Sequence, residues 1–227
     1  MYYSNTEQQI NFLKKVLDIE QSSKILDLGC DKGVHLIPLQ EISKSVFGVD
    51  IKENKNNLTN YFKVNFLQDD ITSINHNLKN FDSAYILSPC FEEDWNDITY
   101  FLQNVSKILK DKGILIIDLF EFNLLKDGDT KVSFKEEKEK MTYSSLVKSK
   151  NSMNLLFTSI DLKNPKNKTQ TKGYWKIFSY QEISTILLRN NFVIENIYTS
   201  FDDTEGDIFN FKNNTINDRI ILKCLKI

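Results

Sequence analysis

The first half of the chain alternates between short unbroken apolar runs and longer stretches whose apolar residues recur at helical spacing. Ile10, Leu13, Val16 and Leu17 follow Thr6-Glu7-Gln8-Gln9, an S/T-x-x-E/Q capping box, and predict an amino-terminal helix. Lys24–Leu28, Ser45–Ile51, Tyr61–Leu67, Phe81–Leu87 and Ile114–Phe120 read as five buried strands of the parallel kind. Between them, Val34–Leu39 opens a helix. A second helix carries the stripe Ile98, Phe101, Leu102, Val105, Ile108 and Leu109, with Lys110 and Lys112 at its carboxyl end and Gly113 closing the segment. Strand and helix in alternation predict an α/β fold, a Rossmann-like doubly wound sheet.

The pattern then changes. Asp127-Gly128-Asp129 is a turn, and the charge run from Phe134 to Lys140 reads as a solvated face. Met141–Leu162 has β-like stretches, Asn164-Pro165-Lys166-Asn167 turns, and Gly173–Phe178 is an aromatic strand. Residues 125–178 are therefore expected to form an antiparallel β insertion within a single domain spanning 1–227. Ser179-Tyr180-Gln181-Glu182 is another capping box, continued by Ile183, Ile186, Leu187 and Asn190, with Asn191 placed to take the left-handed position that ends a helix. Phe192–Tyr198 and Arg219–Lys226 complete seven strands, joined by a polar connection from Ser200 to Asp218.

The candidate chemistry gathers where the first strand ends. Asp27 sits inside an apolar run, where a carboxylate needs a backbone N–H or a ligand group to meet it. Gly29 and Gly33 frame a turn that brings backbone close to a ligand, and the free N–H groups of the following helix point into the same space. An open α/β sheet binds its ligand at the carboxyl ends of its strands. The turn lacks the G-x-G-x-x-G of a dinucleotide site, and Gly33 is followed by Val34 rather than by the Lys of a phosphate loop. Asp50 closes the second strand about 20 residues on, where an acid can accept from both hydroxyls of an adenosine ribose; the other reading is a turn or helix cap.

Composition narrows the partners. The 227 residues carry 41% hydrophobic and 26% charged side chains and a net charge of −2, with a pI of about 5.8. That balance lacks the basic excess of a nucleic-acid enzyme, so no nucleic-acid partner is expected. Cys30, Cys90 and Cys224 form no C-x-x-C pair, which points to a reducing compartment without disulfide or metal site. No signal-peptide pattern and no apolar run of about 20 residues occurs, so the expected location is cytoplasmic with no membrane partner.

Asp27-Leu28-Gly29-Cys30-Asp31-Lys32-Gly33 resembles the D-x-G-x-G-x-G loop of class I S-adenosylmethionine (SAM) methyltransferases, with Asp31 for the middle glycine. If that position needs positive φ, a non-glycine costs roughly 1–2 kcal/mol. Gly48-Val49-Asp50, Asp70-Ile71, the Phe81-Asp82 opening of the fourth strand, Leu109-Lys110-Asp111-Lys112-Gly113, and the segment from Phe178 to Phe192 extend the likeness over the whole chain. The group it most resembles is small-molecule methyltransferases with an antiparallel insertion, amino-sugar N-methyltransferases among them.

The resemblance implies a seven-stranded, mostly parallel sheet with an antiparallel last strand, SAM as cofactor, and methyl transfer to a small amine, hydroxyl or carboxyl acceptor. It assigns Asp27, Gly29, Cys30, Asp31, Gly33, Asp50, Ile51, Asp70, Ile71 and Ser88 to the cofactor, with Asp70 accepting from the adenine amino group and Ile71 packing on the ring. Asp69 beside it is either a second candidate or only solvated. Tyr3, Cys90, Phe91, Tyr174, Trp175 and Arg219 fall to the substrate pocket, where Tyr3 is either a lid or a helix staple, and Tyr174 and Trp175 either walls or core aromatics. His35 is the candidate catalytic residue and faces either the substrate or the core. Two copies pairing into a homodimer, a non-catalytic binding protein whose fold has lost its cofactor, and a methyltransferase that acts on RNA or protein stay open on the sequence.

Overall fold

The computed structural model describes residues 6–51, 65–74, 77–87, 95–119, 128, 130–137, 140–149, 152–202 and 220–227. Eleven strands and four helices are labelled here in chain order. They are α1 (Thr6–Val16), β1 (Lys24–Leu28), α2 (Leu36–Gln40), β2 (Ser45–Asp50), β3 (Asn65–Gln68), β4 (Phe81–Ile86), α3 (Trp95–Ile108), β5 (Leu109–Leu119), β6 (Thr130–Glu137), β7 (Lys140–Ser149), β8 (Ser152–Asp161), β9 (Lys168–Lys176), α4 (Tyr180–Arg189), β10 (Phe192–Tyr198) and β11 (Ile220–Lys226).

Seven strands form one sheet in the order β10-β11-β5-β4-β1-β2-β3. β3, β2, β1, β4 and β5 pair in parallel, and β11 runs antiparallel to both β5 and β10. This is the Rossmann-like, mostly parallel sheet with an antiparallel last strand. Strand alternation divides the core between its two faces. Leu26, Leu28, Ala84, Ile86, Leu115 and Ile117 pack with Phe101 and Leu102 of α3 and Ile183 and Leu187 of α4. Ile25, Val46, Tyr85, Ile116 and Ile221 pack with Phe12 and Leu13 of α1 and Leu36 and Leu39 of α2. Both faces are covered, which is why these strands read as continuous apolar runs.

β6, β7, β8 and β9 form the antiparallel sheet expected within 125–178. The charge run at 134–140 lies in this sheet: Phe134–Glu137 pair with Lys140–Tyr143 in the β6–β7 ladder, and Glu136 and Lys140 are exposed. Lys and Glu suit an edge strand, where charge discourages pairing with another chain.

The passage from α3 into β5 also departs from its expectation. Leu109 and Lys110 belong to β5 rather than to the helix. The β4–β5 register runs from Phe81↔Leu109 to Ser83↔Ile114, so residues 110–113 bulge out of the ladder, with Lys112 at φ 61°. Gly113 does not close a helix. It fills a place where a Cβ would stand 2.8 Å from the Lys110 carbonyl oxygen. The Phe81-Asp82 opening of β4 has a structural reason nearby. Asp82 Oδ2 accepts from Lys24 N at 2.7 Å and Oδ1 pairs with Lys110 Nζ at 2.6 Å, so one carboxylate ties β1, β4 and β5 at the ends of their strands remote from the glycine turn.

The Ser179 box forms in full. Ser179 Oγ accepts from Glu182 N at 3.3 Å, and Glu182 Oε2 accepts from Ser179 N at 2.9 Å. Such a cap is worth about 1 kcal/mol. Asn191 follows α4 at φ 66°, the left-handed position the sequence predicts.

Candidate functional site

The turn after β1 is stitched to the tip of β2. Gly29 N and Cys30 N both donate to Val49 O, at 2.8 and 3.1 Å, and Asp31 N donates to Asp50 Oδ2 at 2.8 Å. Gly29, Asp31 and Gly33 all have positive φ, at 75°, 42° and 71°. Asp31 thus adopts the glycine-like conformation of the residue it replaces, and Asp is among the side chains that tolerate it. A Cβ built at Gly29 would meet no atom within 4 Å, so the turn keeps an open approach to its backbone.

Gly48 has the opposite reason for being glycine. A Cβ there would stand 2.6 Å from Leu36 Cδ1 and 2.7 Å from Cys30 Sγ. The absence of a side chain in β2 lets the turn and α2 settle on the sheet. Gly48→Ala is expected to destabilise the protein by about 1–3 kcal/mol and to weaken ligand binding at the turn, because Cys30 must move. Thermal melts with and without ligand read both effects.

α2 starts at Leu36, with His35 as its cap residue, and extends over five residues only. It starts later than the Val34–Leu39 run suggests, because Gly33 to Leu36 form a turn first; Leu36 N donates to Gly33 O at 3.1 Å.

Asp50 is 8% exposed and Asp27 is 3% exposed. They stand on adjacent strands, with Asp27 level with Gly48 and Asp50 two residues further along β2. Burial raises the Asp27 carboxyl to about 7, a nearby hydroxyl (Tyr85) lowers it, and the Asp50 charge raises it further. Asp27 Oδ2 is buried with no hydrogen-bond partner. The acid expected to need a partner therefore has one oxygen unmatched by any protein donor. Burial, and the charges of Asp27, Asp50 and Asp31, also push the Cys30 thiol up, so it stays protonated.

His35 Nε2 lies 2.8 Å from Gln9 Oε1 of α1, and its ring meets the Tyr85 ring edge-on at 6.2 Å. Burial lowers its pKa to about 4, and its ring nitrogen joins the residue that caps α2 to Gln9 of α1.

Ile51 is 63% exposed beside Asp50. Asp70 Oδ1 accepts from both Thr72 N and Thr72 Oγ1 at 2.8 Å, which shapes a turn after β3, and Ile71 packs half-buried against the core. Asp69 N donates to Asp50 O at 3.0 Å, bringing this acid pair to the same strand tips as Asp50. Tyr174 is half-buried in β9, and Trp175 pairs with Met153 in the backbone register. Tyr3, Ser88, Cys90, Phe91 and Arg219 lie outside the described residues. Two clefts, of about 300 Å³ beside β3 and about 630 Å³ at the β8–β9 turn, include none of the selected residues. Among the described residues no cluster of metal-ligating side chains occurs, and no helix is long and apolar enough to cross a membrane.

Two buried polar residues on this face escaped the sequence reading. Tyr85 in β4 is the register partner of Asp27. Asp118 near the carboxyl end of β5 is fully buried and, by strand alternation, shares the face of Ile114 and Ile116. Its signal was present, since an acid inside an apolar run is what marks Asp27.

An open-backed glycine turn, an acid at the neighbouring strand tip and an unmatched buried carboxylate oxygen fit an adenosine-containing cation. The fold and this site define a class I SAM-dependent methyltransferase with SAM as its cofactor. A family model described as a methyltransferase domain matches residues 19–181, and the chain belongs to that family.

Among solved structures, a SAM-dependent methyltransferase from Clostridium acetobutylicum superposes with a TM-score of 0.79 at 16% identity, over 99% of this chain and 93% of that one. The CcbJ methyltransferase from Streptomyces caelestis gives a TM-score of 0.79 at 9% identity, over 99% and 97%. CalS10 from Micromonospora echinaspora, an amino pentose methyltransferase, gives 0.69 at 13% identity, over 98% and 90%. A search of curated protein sequences returns no significant match.

Proposed function

We propose that this enzyme transfers the methyl group of SAM to a small-molecule acceptor, with an amine favoured over a hydroxyl or carboxyl. The observation that carries it is the pair of buried acids, Asp27 and Asp50, set on adjacent strand tips around the glycine turn. In this reading Asp50 accepts from the ribose hydroxyls, the backbone of Gly29 to Gly33 lies along the cofactor, and Asp70 with Ile71 borders the adenine beside exposed Ile51. Ser88, with Cys90 and Phe91, borders the methyl donor.

SAM, when bound, supplies an electrophilic methyl group. The protein's part is to hold donor and acceptor in line, which can be worth roughly 7–11 kcal/mol. His35 takes a positioning role, neutral and hydrogen-bonded to Gln9. A single domain over 1–227 carries the reaction, and the sheet of β6 to β9 covers the acceptor side with Tyr174 and Trp175; Tyr3 and Arg219 complete the pocket.

The amine preference is supported by fold relatives described as amino pentose, sugar N- and glycopeptide N-methyltransferases. A net charge of −2 supports a small acceptor over nucleic acid. The buried free thiols Cys30 and Cys224 suit the reducing cytoplasm.

The test is transfer of isotope-labelled methyl from SAM to a panel of amino sugars, their nucleotide conjugates, and small hydroxy and carboxylic acids. Label on a small amine is the expected result. Label only on RNA or protein, or none on any acceptor while SAM binds, would overturn the reading.

A further inference from the structure

The cleft of about 630 Å³ at the β8–β9 turn shares no residue with the glycine turn and is lined wholly by polar side chains. Four are lysines, Lys140, Lys163, Lys166 and Lys168, and among the described residues Asp161 is the one acid that lines it. The whole chain carries a net charge of −2, so this end of the sheet is basic against an acidic background. Register accounts for the floor. Thr142, Ser159 and Thr169 are cross-strand partners on β7, β8 and β9, and Lys140 pairs with Asp161 two residues nearer the tip, on the same face. Ser159 is 4% exposed, a buried hydroxyl-bearing residue beneath exposed lysines.

The rim is held by its own hydrogen bonds. Asp161 Oδ1 accepts from Lys163 N at 2.8 Å and from Asn164 N at 3.2 Å. Asp161 N donates to Asn167 O at 3.1 Å, and Asn167 N donates to Asn164 O at 2.8 Å. The single acid therefore serves the backbone of the turn that carries Lys163 and Lys166. Lys140 has Glu137 and Asp161 as register neighbours, so the surplus positive charge comes from the turn and the start of β9. Lysines on an edge strand also discourage pairing with another chain. Lys168 and Lys172 of β9 suffice for that; Lys163 and Lys166 stand in the turn, outside the ladder, and edge protection needs no cavity.

We propose that this cleft binds the phosphate groups of a small polyanion, a diphosphate or a phosphate ester. Like charges gathered in one cleft repel each other until an anion neutralises them. Lysine binds phosphate as a point charge, and the hydroxyls of Ser159 and Thr169 can donate to further oxygens. No aromatic or aliphatic side chain lines the cleft, which leaves no surface for a stacked base, an acyl chain or a lipid tail. A walled cleft of this volume suits a small ligand rather than a nucleic-acid strand. The site also lies at the end of the sheet remote from its junction with the core. β9 runs from Lys168 to Lys176 before Phe178 enters the core, about 26 Å at 3.3 Å per residue. The inference does not rest on the SAM reading.

The experiment titrates inorganic diphosphate into the whole protein at low salt. Saturable one-to-one binding that weakens as salt rises is the expected result. Lys166→Ala combined with Lys168→Ala is expected to weaken it about tenfold, whereas Lys166→Arg combined with Lys168→Arg retains it. Both lysines are exposed, so thermal melts of the variants should match unaltered protein. No saturation at millimolar diphosphate, equal affinity in the alanine pair, or sulfate bound as tightly as diphosphate would overturn the proposal. So would a single-stranded oligoribonucleotide that binds where diphosphate does not. Labelled-methyl transfer over the acceptor panel then separates two sources of the phosphate. A rate lost by the alanine pair on phosphorylated acceptors alone supports the site and places the phosphate on the acceptor. Equal rates on every acceptor, with diphosphate binding weakened, support it and assign the phosphate to a separate ligand. Failure of SAM to bind leaves the diphosphate titration standing, so the two readings fail separately.

Discussion

Asp50→Ala is expected to reduce SAM affinity by about 100-fold or more while the protein still folds. Two losses combine. The ribose hydroxyls lose a charged acceptor, and hydrogen bonds to a charged group are worth about 1.5–3 kcal/mol each. The Asp31 N–H, 2.8 Å from Asp50 Oδ2, loses its partner too, and with it goes a hydrogen bond that ties the turn to β2. The bonds from Gly29 and Cys30 to Val49 O survive, so the turn loosens rather than unfolds. Asp50→Asn keeps an oxygen that can accept from Asp31 N, and is expected to fall between the two. Calorimetric affinities for the three proteins check the order. Equal affinity for Asp50→Ala and unaltered protein would remove Asp50 from the site.

Asp27→Asn is expected to make the cofactor-free protein more stable and its SAM binding at least tenfold weaker. The Asp27 carboxyl is raised to about 7 in the fold against 3.8 ordinarily. Between those values the folded chain keeps a proton that the unfolded chain gives up. Stability therefore falls as pH rises through that window, and is flat above it. The shift corresponds to a loss of about 4 kcal/mol at 1.36 kcal/mol per unit. Asparagine carries no charge to desolvate and recovers part of that loss, about 2 kcal/mol, or roughly 5 °C in Tm for a chain of this size. The gain should vanish below about pH 4, where aspartic acid is neutral in both states. A gain in stability with a loss in binding is the signature of an acid kept for its ligand rather than for the fold. Thermal melts across pH, with calorimetry beside them, read both halves. A variant less stable at neutral pH would contradict this view of Asp27.

Much of this was legible where a single residue type has a single physical use. Ser179 and Glu182 are three residues apart and form the box their spacing requires. Asn191 and Asp31 take left-handed backbone where the pattern asks for glycine. The acids at the ends of β1 and β2 stood out because a carboxylate in an apolar run needs a reason.

Other features depend on register, which one strand's sequence does not carry. Tyr85 reads as one more apolar residue of β4 until the β1–β4 pairing places it level with Asp27. The bulge at 110–113 follows from the shift between Phe81↔Leu109 and Ser83↔Ile114, so helix and strand signals overlapped there. The charge run at 134–140 reads as a solvated face from composition alone, but which strand it pairs with depends on the β6–β7 register.

The central claim is that SAM binds at the glycine turn between Asp27 and Asp50. Calorimetric titration of SAM into folded protein at about pH 8, where Asp27 is largely ionised, tests it most directly. The account predicts saturable one-to-one binding in the micromolar range that Asp50→Ala weakens sharply. Absence of binding heat from folded protein at millimolar SAM, confirmed at a second temperature, would contradict it.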